Sequence, residues 1–501
     1  MLNLFIEGFA GIASLECILL ITMGVVLGII FGACPGITTG MGLVLMLPMT
    51  YTMGITQSLA LLLGLYVGGV SGGLITAVLF NIPGTPASVP TTFDGYPMAQ
   101  NGQAGKALGI GVLSSFIGGS ISFLFLFFLS PVISKFALTF SNVEYCSICL
   151  FSLMLVSKLS GKSLVKGIAA AIMGIMVSTV GMAPIDASRR FTFGLTQLDG
   201  GFILSAVLIG VYAVREVLKA AEKRNPLELN VQPYKMRGFG FSGKEFCQQI
   251  PNLLRSSVIG SGLGFLPGLG AGIASMVSYG VARSRSRSPE KFGTGIVDGI
   301  VASESANNAV IGGALIPLLT LGIPGDGATS ILLAAFMLHG IAPSPLMFSA
   351  SPGLIYGLFA CLVIANILMI AIEYFAMPFF QKILKVPQYF LLPAIMVLCC
   401  VGAFGVNNRI FDVYSVLLFA LLGYGFYKFD FPVPPLILGF ILGPMVEKYF
   451  QRALMQTKGS FMPFVTRPVS ALFLGLTAAY LISIVITQIR AKKTEGKDEK
   501  A

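Results

Sequence analysis

The sequence predicts an all-α polytopic membrane protein built from two inverted structural repeats with broken or re-entrant helices. Three observations carry that prediction. Of 501 residues, 55% are hydrophobic and only 11% charged, where a soluble chain of this length carries roughly 25% charged residues. Apolar runs recur throughout, each long enough to cross about 30 Å of hydrocarbon at about 1.5 Å per residue. Two Pro-Gly breaks in the first half return in the same order in the second, and 60 glycines and 27 prolines suit close helix packing and interrupted helices. About 12 membrane segments follow, counting each broken hairpin as one unit.

The first apolar run, Cys17 to Ala33, ends in ACPGITTG, residues Ala33 to Gly40, and a short run follows from Met41 to Met53. No lysine or arginine precedes Lys106, so the basic region of a secretory signal is missing and the first run is expected to be a permanent membrane element. Gln57 to Phe80 reads as a long helix stopped by NIPGTPAS, Asn81 to Ser88. A polar loop through FDGYP, Phe93 to Pro97, is expected to lead to Lys106. Further spans are expected at Ala107–Ser130, Val143–Val156, Gly167–Met182 and Gly201–Val214. Arg215 to Gln249, with seven basic and four acidic residues, is the only long polar linker and reads as a cytoplasmic connector. The expected organisation is a first repeat over 1–214, a linker over 215–250, a second repeat over 251–446, and a basic loop, final helix and cytoplasmic tail over 447–501.

The repeat is legible in spacing. Pro267-Gly268 in FLPGLGAG matches Pro35-Gly36 at an offset of 232 (267 − 35), and Pro324-Gly325 matches Pro83-Gly84 at 241 (324 − 83). The basic insertion ARSRSRSPE, Ala282 to Glu290, accounts for the difference. Arg283, Arg285, Arg287 and Lys291 follow the second-half break, whereas its counterpart, Thr50 to Gln57, is uncharged. Positive charge favours the cytoplasmic side, so the halves are expected to have opposite orientation. Lys158, Lys162 and Lys166 fit the same scheme. Lys448, Arg452, Lys458 and Arg467 do not: the count puts them outside, so either Pro432 to Met445 does not cross or the charge rule fails locally.

The net charge of +11 lies in short loops and the tail, where topogenic charge explains it better than nucleic-acid binding. Cys146 and Cys149 form a CxxC without a second pair or a nearby histidine, so buried small apolar residues are the expected reading. His339, the single histidine, reads as a helix C-terminal residue rather than a metal ligand. Arg189 and Arg190, beside Asp186, read as a solvated external loop, with anion steering as the functional alternative.

Four stretches carry candidate chemistry. In PGITTG and PGLGAG a mere kink is the bland reading. Paired breaks in two halves instead point to a transporter's binding site, with free N–H groups and a positive helix end aimed at an anion. This assigns Pro35, Gly36, Thr38, Thr39, Gly268 and Gly270 to substrate. In NIPGTPAS and GIPGDGATS the hydroxyls of Thr85, Ser88, Thr329 and Ser330 are further substrate donors, and Gly84 and Gly325 carry carbonyls able to hold a cation. Asp326 has no acidic counterpart, Thr85 standing in its place. A carboxylate at mid-membrane costs about 2.5–3.5 kcal/mol, which favours a coupling-ion role over helix capping alone, although the two are compatible. SESANN places Glu304, Asn307 and Asn308 on one helix face. We assign Glu304 to the ion and both asparagines to substrate, against the bland reading of a polar packing face.

These motifs resemble the large membrane subunit of the tripartite tricarboxylate transporters, the TctA family. The resemblance covers nearly the whole chain through CPGITTGMGLVLMLPMTY, LFNIPGTPAS, FDGYPMAQNGQAGKALG, GFLPGLGAGIAS and VASESANNAVIGGALIPLLTLGIPGDGATSILLAAFMLHGIAPSPLMF. Cys34 and Thr38 stand where leucine and glycine are expected, and Ser344 where glycine sits between two prolines. The resemblance implies a bacterial inner-membrane permease working with a small membrane subunit and a periplasmic solute-binding protein. It implies import of organic carboxylates such as citrate, driven by a sodium or proton gradient rather than ATP, with no cofactor and no enzymatic activity. The chain has no GxxxxGK[ST] loop of its own, which agrees with the last point. The alternatives are a channel, disfavoured because only one half is expected to offer carboxylates, and an intramembrane aspartyl protease. Ile323 stands where the protease signature needs glycine, and no second facing carboxylate is evident.

Overall fold

The computed structural model describes residues 2–34, 38–159, 163–222, 239–383 and 388–482, with side chains described except at 2, 158–159, 377–383 and 388–391. It is 82% helical, with a single two-stranded ribbon among the described residues, so the all-α prediction holds. Helices α1 (Leu2–Ile12), α2 (Leu15–Ala33), α3 (Thr39–Met46), α4 (Ile55–Phe80), α5 (Val89–Met98) and α6 (Ala104–Ala137) come first. Next are α7 (Asn142–Leu159), α8 (Leu164–Ser178), the ribbon strands β1 (Gly181–Met182) and β2 (Arg189–Arg190), then α9 (Leu204–Leu208). A π-helical stretch, Ile209–Val214, leads into α10 (Arg215–Glu222). The remainder comprises α11 (Gly243–Phe265), α12 (Gly270–Arg285), α13 (Val297–Leu321), α14 (Gly327–Leu338), α15 (Met347–Ala350) and α16 (Pro352–Ile383). These are followed by α17 (Gln388–Asn407), α18 (Ile410–Lys428), α19 (Val433–Gln456), α20 (Met462–Thr466) and a terminal apolar helix, Pro468–Ile482.

Six helical segments among the described residues are long and apolar enough to cross a membrane. Helix α13 is not one of them, and the reason is its position. It is buried without interruption from Gly299 to Thr320, as α4 is from Ser58 to Leu79. A helix shielded by protein on all sides needs no lipophilic surface, so it tolerates the polar SESANN face.

The chain forms two compact units. The first comprises Met1–Leu138 and Phe202–Asp430. Within it α2 packs along α4 and α11 along α13, while α6 lies on α13 and α16 on α4. Small residues set these distances. A methyl group on Gly28 would sit 2.4 Å from the Leu65 carbonyl oxygen, and one on Gly32 2.2 Å from that of Gly69. In the other pair Gly260 faces the Ala306 oxygen at 2.3 Å and Gly264 the Val310 oxygen at 2.7 Å. These are the same positions displaced by 232 (260 − 28 and 264 − 32) and 241 (306 − 65 and 310 − 69). Helix α4 stops at Asn81 with φ 56°, and α13 at Gly322 with φ 71°, again 241 apart (322 − 81). A left-handed residue is how a helix commonly closes its last turn.

The second unit comprises Thr139–Gly201 and Phe431–Ala501. Here α7 and α8 pack on α19, with Gly174 and Gly439 each within van der Waals distance of the opposite backbone. Arg190 pairs with Glu447 at 2.7 Å, Arg467 with Glu144 at 2.9 Å and Arg189 with Asp199 at 3.0 Å. Arg189 and Arg190 thus have ion-pair partners, while residues 184–189 stay exposed as the solvated loop expected. The N–H and hydroxyl of Ser188 hold the exposed Asp186 carboxyl below its usual range. Cys146 and Cys149 are buried, as their CxxC spacing without a partner pair suggests. Helix α19 runs unbroken through Lys448 and Arg452.

Two expectations change. FDGYP is not a loop but the body of α5, with Pro90 in the first turn, where its missing N–H costs nothing. The linker is helical at both described ends, in α10 and in the start of α11, where Ser242 and Glu245 form a capping box. Helix α1 and the fully buried Asp94 of α5 went unread in the sequence. Asp94 Oδ1 accepts from the backbone N–H groups of Gly293, Gly295 and Ile296 at 2.8, 3.0 and 3.1 Å, and Oδ2 from the Tyr279 hydroxyl at 2.9 Å. One first-half carboxylate thus holds the entry to the second-half helix α13.

Candidate functional site

The breaks converge inside the first unit. Asp326 is the N-cap of α14: Oδ1 accepts from the Thr329 N–H and Oγ1, both at 2.7 Å, and the Asp326 N–H donates to Thr329 Oγ1 at 2.8 Å. Ser330 Oγ donates to the Asp326 carbonyl at 2.9 Å. The capping role weighed for Asp326 is therefore present, yet it uses only one carboxylate oxygen. The other accepts from the hydroxyl of Tyr66 on α4 at 2.7 Å. That bond joins residues 260 positions apart (326 − 66) and links the long helix before one break to the residue that closes another.

The neighbouring break is tied to the same point. Gly268, at φ 79°, donates its N–H to the Gly325 carbonyl at 2.7 Å. Gly270, at φ 63°, lies with its Cβ position 3.7 Å from Asp326 Cβ. Both glycines occupy backbone geometry that other residues rarely adopt. A methyl group on Gly325 would lie 2.7 Å from the Gly264 oxygen and 2.6 Å from Ala314 Cα, and one on Gly84 2.2 Å from the Gly32 oxygen and 3.0 Å from Gly73 Cα. The two Pro-Gly turns are thus wedged against equivalent backbone.

In the first half, Thr38 caps α3 by accepting from the Met41 N–H at 3.2 Å, and the buried Thr39 packs against Gly69. Pro35 and Gly36 lie outside the described residues. Ser88 Oγ accepts from the Thr85 N–H at 3.2 Å and donates to its carbonyl at 2.9 Å. Thr85 Oγ1 is buried with no partner, so the position matching Asp326 holds an unsatisfied hydroxyl. Each first break also faces the other half: Gly40 approaches Ile331 of α14, and Gly272 approaches Pro86.

Glu304 forms a separate cluster. Its Oε1 accepts from the hydroxyl of Thr91, in α5 just beyond NIPGTPAS. Its Oε2 accepts from Ser115 Oγ at 3.3 Å and Asn307 Nδ2 at 3.4 Å. Asn307 Nδ2 also donates to the Val70 carbonyl at 3.0 Å, and Asn308 Nδ2 to the Glu304 carbonyl at 3.2 Å. All three side chains are essentially inaccessible, and Oδ1 of each asparagine is buried without a partner. Both carboxylate oxygens of Glu304 thus receive donors, which stabilises a buried charge without a cationic side chain. His339 closes the end of α14, as expected.

Sequence reasoning missed Tyr66, Thr91, Ser115 and Glu373. Tyr66 had a signal: it sits 241 positions before Asn307 (307 − 66), so the polar face of the second half has a polar counterpart in the first. Glu373 is a carboxylate in an apolar run and meets the same cost argument that singled out Asp326. With Asp94 in the first half, buried carboxylates occur in both halves, contrary to the premise used against a channel.

Comparison with known proteins agrees with the resemblance read from the motifs. The family model described as "Tripartite tricarboxylate transporter TctA family" matches residues 18–438. The chain is 34% identical over 422 residues, 84% of each chain, to an "Uncharacterized 52.8 kDa protein in TAR-I ttuC' 3'region" of Agrobacterium vitis. It is 38% identical over 236 residues, 47% of this chain and 98% of the other, to an "Uncharacterized protein in TAR-II ttuC' 3'region" of the same organism. No solved structure matches. With its apolar helices and a family match spanning both sets of breaks, the chain belongs to the tripartite tricarboxylate transporter TctA family, a family of transport proteins.

Proposed function

We propose that this chain is the large permease subunit of a binding-protein-dependent secondary transporter that imports an organic carboxylate on a cation gradant by alternating access in the bacterial inner membrane. The observation that carries this reading is the 2.7 Å bond from Tyr66 to Asp326 at the junction of the breaks. It ties one carboxylate to α4 of the first half and to the N-terminus of α14 in the second, and a group shared between two moving parts is where ion binding biases their arrangement. The substrate's carboxylates meet the donors of Thr38, Thr39, Thr85, Ser88, Thr329, Ser330, Asn307 and Asn308, and the coupling cation meets Asp326, Glu304 and the turn carbonyls at Gly84 and Gly325. A small membrane subunit and a periplasmic solute-binding protein complete the system.

The same reading takes residues 1–214 and 251–446 as two repeats of opposite orientation. It is supported by the recurring glycine contacts, the paired left-handed helix ends and the reciprocal packing of α6 on α13 and α16 on α4. The charge difference between Thr50–Gln57 and Ala282–Glu290 supports the hand. Single cysteines in these two segments are expected to react with an impermeant thiol reagent from opposite faces of the membrane. Labelling from one face only would end the inverted arrangement.

For the activity, the three-component system reconstituted in liposomes is expected to show saturable carboxylate uptake that needs both the binding protein and an imposed cation gradient. Passive ion current through this chain alone, without partner or solute, would instead make it a channel.

A further inference from the structure

Glu373 belongs to none of the roles above. It lies on α16 with no exposed surface, directly after the apolar run Ile367–Ile372. Its Oε2 accepts from Ser71 Oγ of α4 at 2.9 Å, and its Oε1 is buried without a partner. Among the described residues neither Glu373 nor Glu304 has a cationic partner. The two acids are connected through one stretch of α4: Asn307, which donates to Glu304, also donates to the carbonyl of Val70, the residue before Ser71.

Hydrogen-bond accounting separates the two. A carboxylate only accepts, whereas a carboxylic acid also carries one O–H donor. Glu304 receives donors on both oxygens, from Thr91, Ser115 and Asn307, which is the environment of an anion. Glu373 receives one donor on one oxygen, and its other oxygen faces no donor. A buried anion with an open oxygen and a second anion nearby is the costly arrangement, and a proton on that oxygen removes the cost. We propose that Glu373 is a proton-binding site of the transporter, loaded at Oε1 and emptied to water when α16 and α4 part, with Glu304 as the electrostatic partner that sets its occupancy. One proton binds and one leaves per cycle, and no other bond changes.

The ionisable groups on elements packed around α16 are Glu7 on α1, Glu16 and Cys17 on α2, Tyr66 on α4 and Lys106 and Lys135 on α6. Glu16 accepts from Gln57, Tyr66 donates to Asp326 and Lys106 is paired with Glu245. Glu304 on α13 is the buried acid that Asn307 links to the same stretch of α4. The proposal concerns protonation itself, and it rests on the transporter reading only for the use made of the proton.

The test has two readouts on the full chain in liposomes. Infrared difference spectra across a pH titration are expected to show a protonated-carboxyl band that Glu373→Gln abolishes and Glu304→Gln retains. Ser71→Ala, which removes the one donor to the charged form, is expected to move its loss to higher pH. In the three-component system, wild-type uptake is expected to change about tenfold per pH unit on its limiting limb, and that of Glu373→Gln less than about twofold over the same range. A band unchanged by Glu373→Gln overturns the proposal whatever the uptake. A band lost as expected, with no carboxylate uptake by the wild type, leaves the protonation site standing and removes the carboxylate-import reading instead.

Discussion

Asp326→Ala is expected to abolish solute uptake and to lower stability by about 3 kcal/mol or more, because it strands a buried tyrosine hydroxyl and a helix N-terminal N–H together. Asp326→Asn separates the two effects. Its amide oxygen still accepts from Thr329, and its amide group still pairs with the Tyr66 oxygen, so the fold and cap persist while the charge is lost. Uptake by Asp326→Asn is expected to lose its dependence on the driving cation. Glu304→Gln is expected to weaken the same dependence. Measured uptake against cation concentration decides the matter: if both neutral variants follow the wild-type curve, neither carboxylate binds the coupling ion. Tyr66→Phe adds a cross-check. Thermal unfolding of the two single variants and of Tyr66→Phe combined with Asp326→Ala gives a double-mutant cycle, and independent, additive effects would mean that the 2.7 Å bond carries nothing.

The second large effect comes from the seams rather than the breaks. Gly28→Leu and Gly260→Leu are each expected to prevent recovery of folded protein. Even the first added carbon would lie 2.4 and 2.3 Å from a backbone carbonyl, which a side-chain rotation cannot relieve. Overpacking commonly costs about 1–3 kcal/mol, and more where backbone must yield. Gly262→Leu is the control, since a methyl group there meets nothing within 4 Å. Monodisperse yield in detergent checks the set. Equal recovery of Gly260→Leu and Gly262→Leu would show that the seam is looser than its geometry.

The membrane class, the long helices and the described breaks at Gly84, Gly268 and Gly325 were legible because each follows from a local rule. Runs of apolar residues show lipid-facing helices, and Pro-Gly marks an interrupted ladder. The SESANN face was legible for the same reason, since polar residues at mid-helix need partners somewhere. What they pair with was not legible. Thr91 meets Glu304, Ser71 meets Glu373 and Asp94 meets Gly293 across 213, 302 and 199 positions of sequence, and no local pattern encodes such meetings. FDGYP misled for a related reason. Asp, Gly and Pro together are turn chemistry on the surface, yet here Asp94 gains three backbone donors from another segment and a helix forms around it.

The Gly268–Gly325 hydrogen bond makes the two interruptions of the second half one mechanical part. A turn in open backbone is ordinarily a hinge, free to flex by itself. Here neither turn swings without its neighbour unless that bond breaks, so displacement of one pulls on the other. The Gly268 amide is then a gauge of the machine: its deuterium exchange reports whether the paired turns travel together or come apart during transport.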